Sequence, residues 1–162
     1  MDLLIIFSAK YLGYILLVVF LILFFKNRNK NFLFIPLISA LISRFVFTEI
    51  IRFFYFRPRP FVAEMFNPLI EHAPTASFPS GHAAFYFALS AGVYSFNKKA
   101  GLWFFIVSLI IGLARMFAGL HYFTDILGGL LIGLLSYLLV KNLLKKFVIF
   151  SKKKQDQISA LP

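Results

Sequence analysis

Five apolar segments, each near the length that crosses a membrane as a helix, dominate the sequence. A bilayer core of about 30 Å needs roughly 20 apolar residues in a helix. Because a backbone in lipid must satisfy its own hydrogen bonds, each segment is predicted to be helical. We therefore predict an all-α, polytopic membrane helix bundle with about five transmembrane helices, forming a single domain over residues 1–162. The segments are Leu3–Phe25, Phe32–Phe56, Ser80–Phe96, Leu102–Ala118 and Tyr122–Val140.

The composition excludes several other classes of protein. Hydrophobic residues make up 60% of the chain and charged residues 14%, with a mean hydropathy of +0.85, which excludes an ordinary soluble domain. An aromatic content of 19% excludes a disordered chain, and the absence of cysteine excludes a disulfide scaffold. The first segment is predicted to be a retained helix rather than a signal peptide, because Asp2 stands where a basic region is expected. Lys10, inside this segment, is predicted to snorkel to the outer surface.

The excess of basic residues is first a signal of membrane topology. The chain has 17 Lys and Arg against 6 Asp and Glu, a net charge of +11. If five helices alternate across the membrane, eleven basic residues share one side, which the positive-inside rule makes the cytoplasm. We therefore predict a cell-membrane protein with its N-terminus outside and a basic cytoplasmic tail over residues 141–162, where contact with anionic lipid is favoured over nucleic-acid binding. The eleven are Lys26, Arg28, Lys30, Lys98, Lys99, Lys141, Lys145, Lys146, Lys152, Lys153 and Lys154.

Seven polar residues, spread over more than 70 positions of sequence, all come near the outer boundary of this predicted bundle. Ionisable side chains at membrane depth are costly and usually face a cavity or each other. Their convergence therefore predicts a functional site on the extracytoplasmic side. They are Arg52, Arg59, Ser80, His82, Arg115, His121 and Asp125.

His121 and Asp125 are four residues apart, which is about one turn of a helix. The carboxylate can accept a hydrogen bond from one imidazole nitrogen and leave the other facing a substrate, as a basic or nucleophilic histidine requires. From these two residues alone, a purely structural His–Asp pair that holds helices together remains an alternative. Gly129 and Gly133 continue the same stripe, which predicts close packing against a neighbouring helix.

The sequence Pro79-Ser80-Gly81-His82 predicts a turn that enters the third helix. The amides at a helix N-terminus can hold an anion, and His82 is then placed to donate a proton. The same residues also fit a simpler structure, in which Ser80 caps the helix and His82 is an interfacial side chain.

Three arginines near the outer boundary indicate an anionic ligand. Guanidinium forks suit phosphate oxygens better than lysine ammonium groups do, so Arg52, Arg59 and Arg115 imply a dianionic or trianionic ligand. Zinc is the rival explanation for the histidines. However, the three histidines of the chain lack ligand spacing and the arginines would repel a cation, so we predict neither metal nor other cofactor.

Together these motifs resemble the three-part signature of the type 2 phosphatidic acid phosphatase family, and most closely its bacterial undecaprenyl pyrophosphate phosphatases. Two positions depart from the family pattern. Its first motif usually opens with Lys, where this chain has Arg52, and its third usually has Ser, where this chain has Ala114. The motifs are Arg52 and, after six residues, Arg59-Pro60; Pro79-Ser80-Gly81-His82; and Arg115, five residues, His121, three residues and Asp125.

The resemblance implies a metal-independent membrane lipid phosphatase that converts a polyprenyl (undecaprenyl) diphosphate to the monophosphate through a phosphohistidine. His121 would be the nucleophile, Asp125 would orient it and His82 would protonate the leaving oxygen. Phosphatidylglycerophosphate and phosphatidic acid are alternative substrates, and a non-catalytic lipid-phosphate binding or transport protein is the alternative of another class. No obligate protein partner is implied. The phosphoryl oxygens would be held by Arg52, Arg59, Ser80, the backbone N–H of Gly81, and Arg115.

Other polar residues near the motifs have less specific interpretations. Glu49 is predicted to form a structural ion pair with Arg52 or Arg44 rather than to act as a catalytic acid. Arg57 fits phosphate contact and snorkelling equally. His72, in the proline-rich outer segment, either gates the site or lies in a solvated loop, and the loop is favoured.

Overall fold

Helices are the only regular secondary structure among the described residues, which confirms the predicted all-α class. A computed structural model describes the backbone of residues 1–26 and 31–159, and the side chains of residues 1–26 and 34–147. These ranges hold eight α-helices and one π-helical segment, and no strand. In chain order they are α1 (Asp2–Lys10), α2 (Leu12–Lys26), α3 (Asn31–Ile42), the π-helical segment (Ser43–Phe47), α4 (Thr48–Phe54), α5 (Pro60–Ala63), α6 (Gly81–Phe96), α7 (Lys98–Phe117) and α8 (Phe123–Ser159).

Three stretches in the described part are long and apolar enough to cross a bilayer, namely Phe34–Phe54, Lys98–Phe117 and Phe123–Phe147. Helices α1 and α2 meet at a bend of 43° and count as a fourth if the pair forms one span. The remaining predicted segment is α6, whose 16 residues are shorter than the roughly 20 that a bilayer requires. The all-helical membrane bundle is thus established, and the count of five spans stays a prediction.

Helix α6 is the centre of the bundle and packs against α3, α7 and α8. Its contact with α8 depends on glycine, because a Cβ at Gly133 would lie 2.7 Å from the carbonyl oxygen of Ala84. A Cβ at Gly129 would lie 2.6 Å from the Cβ of Ala83. These distances confirm the predicted small-residue stripe, which lets two backbones approach closely where larger side chains would separate them.

Local sequence signals set the N-termini of α6 and α7. The Ser80 hydroxyl accepts a hydrogen bond from the Ala83 amide at 3.4 Å and so caps α6 at its first turn. Asn97 caps α7 in the same way, through the amide of Ala100 at 3.0 Å. The predicted capping by Ser80 is therefore confirmed.

A π-helical segment interrupts the second apolar run. Thr48 donates its hydroxyl to the carbonyl of Ser43 at 2.9 Å, which spans this wider turn. Such turns occur often at functional sites, because they insert one residue and shift the face on which the following side chains lie. Here the segment carries Arg44, whose side chain lies beside Gly81.

Two of the predicted cytoplasmic lysines lie at the end of α6 that is remote from the motif histidines. Lys98 and Lys141 line one cavity between α6, α7 and α8, at the end where α6 finishes, whereas the motif histidines lie near the start of α6. Helix α8 continues through residue 159, into the predicted basic tail. Arg28, Lys30 and the side chains of Lys152–Lys154 lie outside the described residues.

Candidate active site

A cavity of about 520 Å³ brings together residues from four parts of the chain: the end of the second apolar run, the outer segment, the start of α6 and the α7–α8 connection. Six of the eight predicted site residues line it. The other two, Ser80 and Asp125, are fully buried and do not line it. The lining residues are Arg44, Glu49, Arg52, Phe56, Arg59, His72, Thr75, Ala76, Gly81, His82, Arg115 and His121.

His121 lies in the short connection between α7 and α8, two residues after Gly119, whose φ of 80° favours glycine. Its Nδ1 lies 3.4 Å from Asp125 Oδ2, and its Nε2 lies 3.3 Å from Arg59 Nη1. Because Nδ1 faces a carboxylate and Nε2 faces a donor, we assign the proton to Nδ1 and a lone pair to Nε2. Burial lowers the pKa of His121 to about 4, so the ring is neutral at physiological pH.

Asp125 is held in place by neighbours on both of its carboxylate oxygens. The Ser77 hydroxyl donates to Oδ2, and the Tyr122 amide donates to the same oxygen at 2.9 Å. Arg57 Nη1 lies 3.0 Å from Oδ1 and also donates to the Thr124 hydroxyl at 2.7 Å. The Arg57 guanidinium stacks over the Tyr122 ring at 4.0 Å. These contacts fix the carboxylate that orients His121.

The Arg59 guanidinium is almost fully buried, and its hydrogen-bonding capacity is filled by the protein. Nε donates to the carbonyl of Thr75 at 3.1 Å, and Nη2 contacts the Thr75 hydroxyl and the Ala76 carbonyl, each at 3.2 Å. Nη1 donates to the Leu120 carbonyl at 3.0 Å and faces His121. Burial lowers the pKa of Arg59 to about 10, which leaves it charged at neutral pH. Arg59 therefore ties the outer segment to the histidine.

Arg52 and Arg115 keep open donors. Arg52 donates to the carbonyl of Pro79 at 3.0 Å and to Glu49 at 3.2 Å, and Arg115 donates to the carbonyl of Ala9 at 3.2 Å. The Nε atoms of both arginines are buried and have no hydrogen-bond partner among the described residues. A buried donor without a partner is costly, so these positions suit an anionic ligand.

His82 is the second residue of α6 and lines the cavity. Its ring contacts the Tyr86 ring with centroids 6.4 Å apart, and no hydrogen bond to it occurs within the described part of the chain. Gly81 precedes it, and a Cβ there would lie 2.5 Å from Arg44 Nε. A side chain at position 81 would therefore force that arginine to shift.

The profile of the PAP2 superfamily matches residues 32–149 of the chain. The chain belongs to the PAP2 superfamily. It is similar to undecaprenyl-diphosphatase BcrC of Bacillus subtilis, with 33% identity over 153 residues, which cover 91% of this chain and 79% of BcrC. It is also similar to phosphatidylglycerophosphatase B of Bacillus subtilis, with 33% identity over 103 residues, which cover 54% and 48% of the two chains.

The crystal structure of Aquifex aeolicus LpxE matches this PAP2 fold with a TM-score of 0.70 at 29% identity, over 87% of this chain and 85% of that one. The predicted family resemblance is therefore confirmed, and the protein is a membrane lipid phosphatase of the PAP2 superfamily.

Two positioning residues of this PAP2 site escape sequence reasoning. The sequence predicts phosphate contact or snorkelling for Arg57, whereas in the structure Arg57 pairs with Asp125 and does not line the cavity. Its place two residues before Arg59 was the available signal. Ser77 carries no signal, because nothing in its sequence neighbourhood places it beside Asp125, 48 residues away.

Glu49 and His72, which the sequence places near the motifs, both line this cavity. Glu49 bridges Arg44 at 2.5 Å and Arg52 at 3.2 Å, which confirms the predicted structural ion pair. His72 lines the cavity, with Nδ1 2.9 Å from the carbonyl of Ala73. Burial lowers the pKa of His72, so it too is neutral at physiological pH. The predicted contact of Ser80 with phosphate stays a prediction, since its hydroxyl caps α6.

Among the described residues no three acidic or histidine side chains form a group that suits a metal ion. The cations that line the cavity are instead arginines. Metal independence remains a prediction from the sequence.

Proposed function

We propose that this PAP2 phosphatase hydrolyses a polyprenyl diphosphate, such as undecaprenyl diphosphate, to the monophosphate and orthophosphate. The observation that carries the proposal is the cavity itself, in which a neutral histidine with an unprotonated Nε2, facing Arg59, lies with buried arginine Nε donors that lack partners among the described residues. The substrate class is supported by the likeness to BcrC along 91% of the chain, against 54% for phosphatidylglycerophosphatase B.

In the first step of the proposed reaction, His121 attacks the terminal phosphorus. The Nε2 lone pair forms the N–P bond while the bond from phosphorus to the bridging oxygen breaks. That oxygen takes a proton from His82, whose imidazolium form is favoured by the negative charge of the bound substrate, and leaves with the lipid. Asp125, fixed by Arg57 and Ser77, stabilises the positive charge that develops on His121.

In the second step, water hydrolyses the phosphohistidine. Neutral His82 takes a proton from the water, whose oxygen forms the new bond to phosphorus as the N–P bond breaks. Orthophosphate leaves, His121 is neutral again and His82 is ready for another cycle. Arg52 and Arg115 supply fixed positive charge to the phosphoryl oxygens throughout, which is the main requirement of phosphoryl transfer.

We propose the predicted topology for this single membrane domain over residues 1–162: five spans including α6, the N-terminus outside, the C-terminus inside and the site on the extracytoplasmic side. It is supported by the separation of Lys98 and Lys141 from the motif histidines along α6. A tag after Pro162 should be protected from protease in intact cells, and one before Met1 should be cleaved. Cleavage of the C-terminal tag would reverse the assignment.

The decisive experiment measures phosphate release by detergent-purified protein, in EDTA, from three lipids: undecaprenyl diphosphate, phosphatidylglycerophosphate and phosphatidic acid. The proposal requires the highest kcat/KM with the diphosphate and no loss in EDTA. A higher kcat/KM with either monophosphate lipid would contradict the proposed substrate. Loss of activity in EDTA, with rescue by a divalent ion, would contradict the proposed metal-independent mechanism. Binding of lipids without phosphate release would favour a transport or binding protein.

A further inference from the structure

A second cavity, of about 290 Å³, adjoins the first. The two share Arg44, Gly81, His82 and Arg115, whereas His121 lines only the first. His82 and Arg44 therefore stand at the boundary between the two spaces. A ligand that reaches from His121 past His82 would extend into the second cavity.

The second cavity combines positive charge with an apolar wall. Lys10 and Tyr14, from α1 and α2, line it together with Arg44, and no carboxylate lines it. Leu17, Phe85 and Ile111 supply apolar surface on the remaining sides, so the space suits a phosphate attached to an apolar chain.

We propose that this second cavity binds the phosphate that remains on the lipid after hydrolysis, with Lys10 and Arg44 as its ligands. The inference rests on the proposed diphosphate substrate. In an in-line displacement the leaving oxygen lies opposite the attacking nitrogen, so with His121 in the first cavity it falls on the side of His82. The atom next to that oxygen is the phosphorus of the lipid-linked phosphate, which then enters the second cavity.

Three features of Arg44 support this role. It lies in the π-helical segment Ser43–Phe47, and the glycine at position 81 leaves room for its side chain between the cavities. Arg44 lines both cavities, whereas its ion-pair partner Glu49 lines only the first. The carboxylate therefore holds the guanidinium from the side of the first cavity. Lys10, which the sequence predicts at the outer surface, is exposed and lines this cavity as well.

The test compares the binding of two non-hydrolysable probes to the purified full chain by calorimetry: methylenediphosphonate, with two phosphonate groups, and methylphosphonate, with one. We expect the wild type to bind the diphosphonate about tenfold more tightly or better. Arg44→Gln should weaken diphosphonate binding by about 10- to 100-fold, and the more exposed Lys10→Gln by about three- to tenfold. Lys10→Gln should change methylphosphonate binding by less than about twofold, because Lys10 does not line the first cavity.

Arg44→Lys keeps the charge and should retain part of the diphosphonate affinity, which guards against a folding defect in Arg44→Gln. Lys98→Gln removes a lysine at the opposite end of α6 and is the matched control, with both affinities unchanged. Equal affinity of the wild type for the two probes, or equal losses for both in Lys10→Gln, would overturn the subsite. If the lipid panel shows hydrolysis of monophosphate lipids alone, the proposed substrate fails, while the probe affinities still decide the subsite.

Discussion

The two sides of the main cavity differ in how completely their polar groups are bonded. Around His121, the carboxylate of Asp125 and the guanidinium of Arg59 have partners for nearly all their capacity within the protein. On the other side, Arg52 and Arg115 each keep a buried Nε without a partner in the described part of the chain. Bonded groups hold a geometry before substrate arrives, and open donors cost about 1–3 kcal/mol each until an anion binds.

This difference separates positioning from binding. The side of His121 is organised for attack in the absence of ligand, as pre-organised electrostatic catalysis requires. The side of Arg115 has unpaired donors among the described residues, which suit the binding of an anionic ligand. Substitutions on the first side should therefore impair the chemical step or the fold, and substitutions on the second should impair affinity.

Removing the proposed nucleophile should have the largest effect. His121→Ala is expected to lower kcat by about 10,000-fold or more and to form no phosphoenzyme with any substrate, because the attacking Nε2 lone pair is removed. Rapid-quench trapping of acid-labile, base-stable phosphoprotein measures this directly. Asp125→Asn should lie between the wild type and His121→Ala, because the imidazole remains but loses its orienting charge. Phosphate trapped on His121→Ala would assign the nucleophile elsewhere.

Removing the proposed acid should have a smaller effect that depends on the leaving group. His82→Ala is expected to lower lipid hydrolysis by about 100- to 10,000-fold, because the leaving oxygen no longer receives a proton. With nitrophenyl phosphate, whose leaving oxygen departs without a proton, phosphoenzyme should still form in this variant. Equal losses with good and poor leaving groups would show that His82 has another role.

The sequence predicts the motif residues of this site better than their supports. His82, His121 and three arginines are predicted to converge because each lies near the same end of an apolar run, and they line one cavity. Ser77 and Arg57 come from the irregular outer segment, where no helical or strand period indicates which side chains meet.

Arg44 shows a second limit of sequence reasoning. A regular helix through the second apolar run predicts which residues share a face by a period of 3.6. The π-helical segment Ser43–Phe47 inserts one residue, so that period does not hold across it. The length of α6 is a third limit, because an apolar run does not specify whether a short helix at the bundle centre spans the bilayer.

Substituting one arginine from each side tests the comparison directly. Arg115→Gln should raise KM for lipid substrate by about 10- to 100-fold, because an open donor and its charge are lost from the cavity. Arg59→Gln should instead lower the free energy of unfolding by about 1–3 kcal/mol or more, since it leaves the carbonyls of Thr75, Ala76 and Leu120 without their donor. Steady-state kinetics and thermal unfolding in detergent measure the two effects. A destabilised Arg115→Gln with unchanged KM would contradict the division.

Arg57 should have a moderate effect confined to the chemical step. Its guanidinium is partly exposed and bonds Asp125 outside the cavity, so Arg57→Gln is expected to lower kcat by about fivefold with KM unchanged. Arg57→Lys should recover part of the loss, because a positive charge remains near Oδ1. A rise in KM in place of the fall in kcat would indicate contact with phosphate.

The smallest expected effect is the absence of a His121 transition near neutral pH. Burial lowers the pKa of His121 to about 4, against about 6.5 in an unfolded chain, so folding favours the neutral ring. The unfolded state therefore takes up this proton first, and the contribution of His121 to stability, complete above pH 6.5, is lost as the pH falls towards 4. Histidine NMR in detergent can follow the transition because the chain has three histidines, and His121→Gln assigns the signal. We expect no shift of this signal between pH 7.5 and 5.5, and a midpoint near 6.5 would show that the bonded side of the cavity does not hold its histidine neutral.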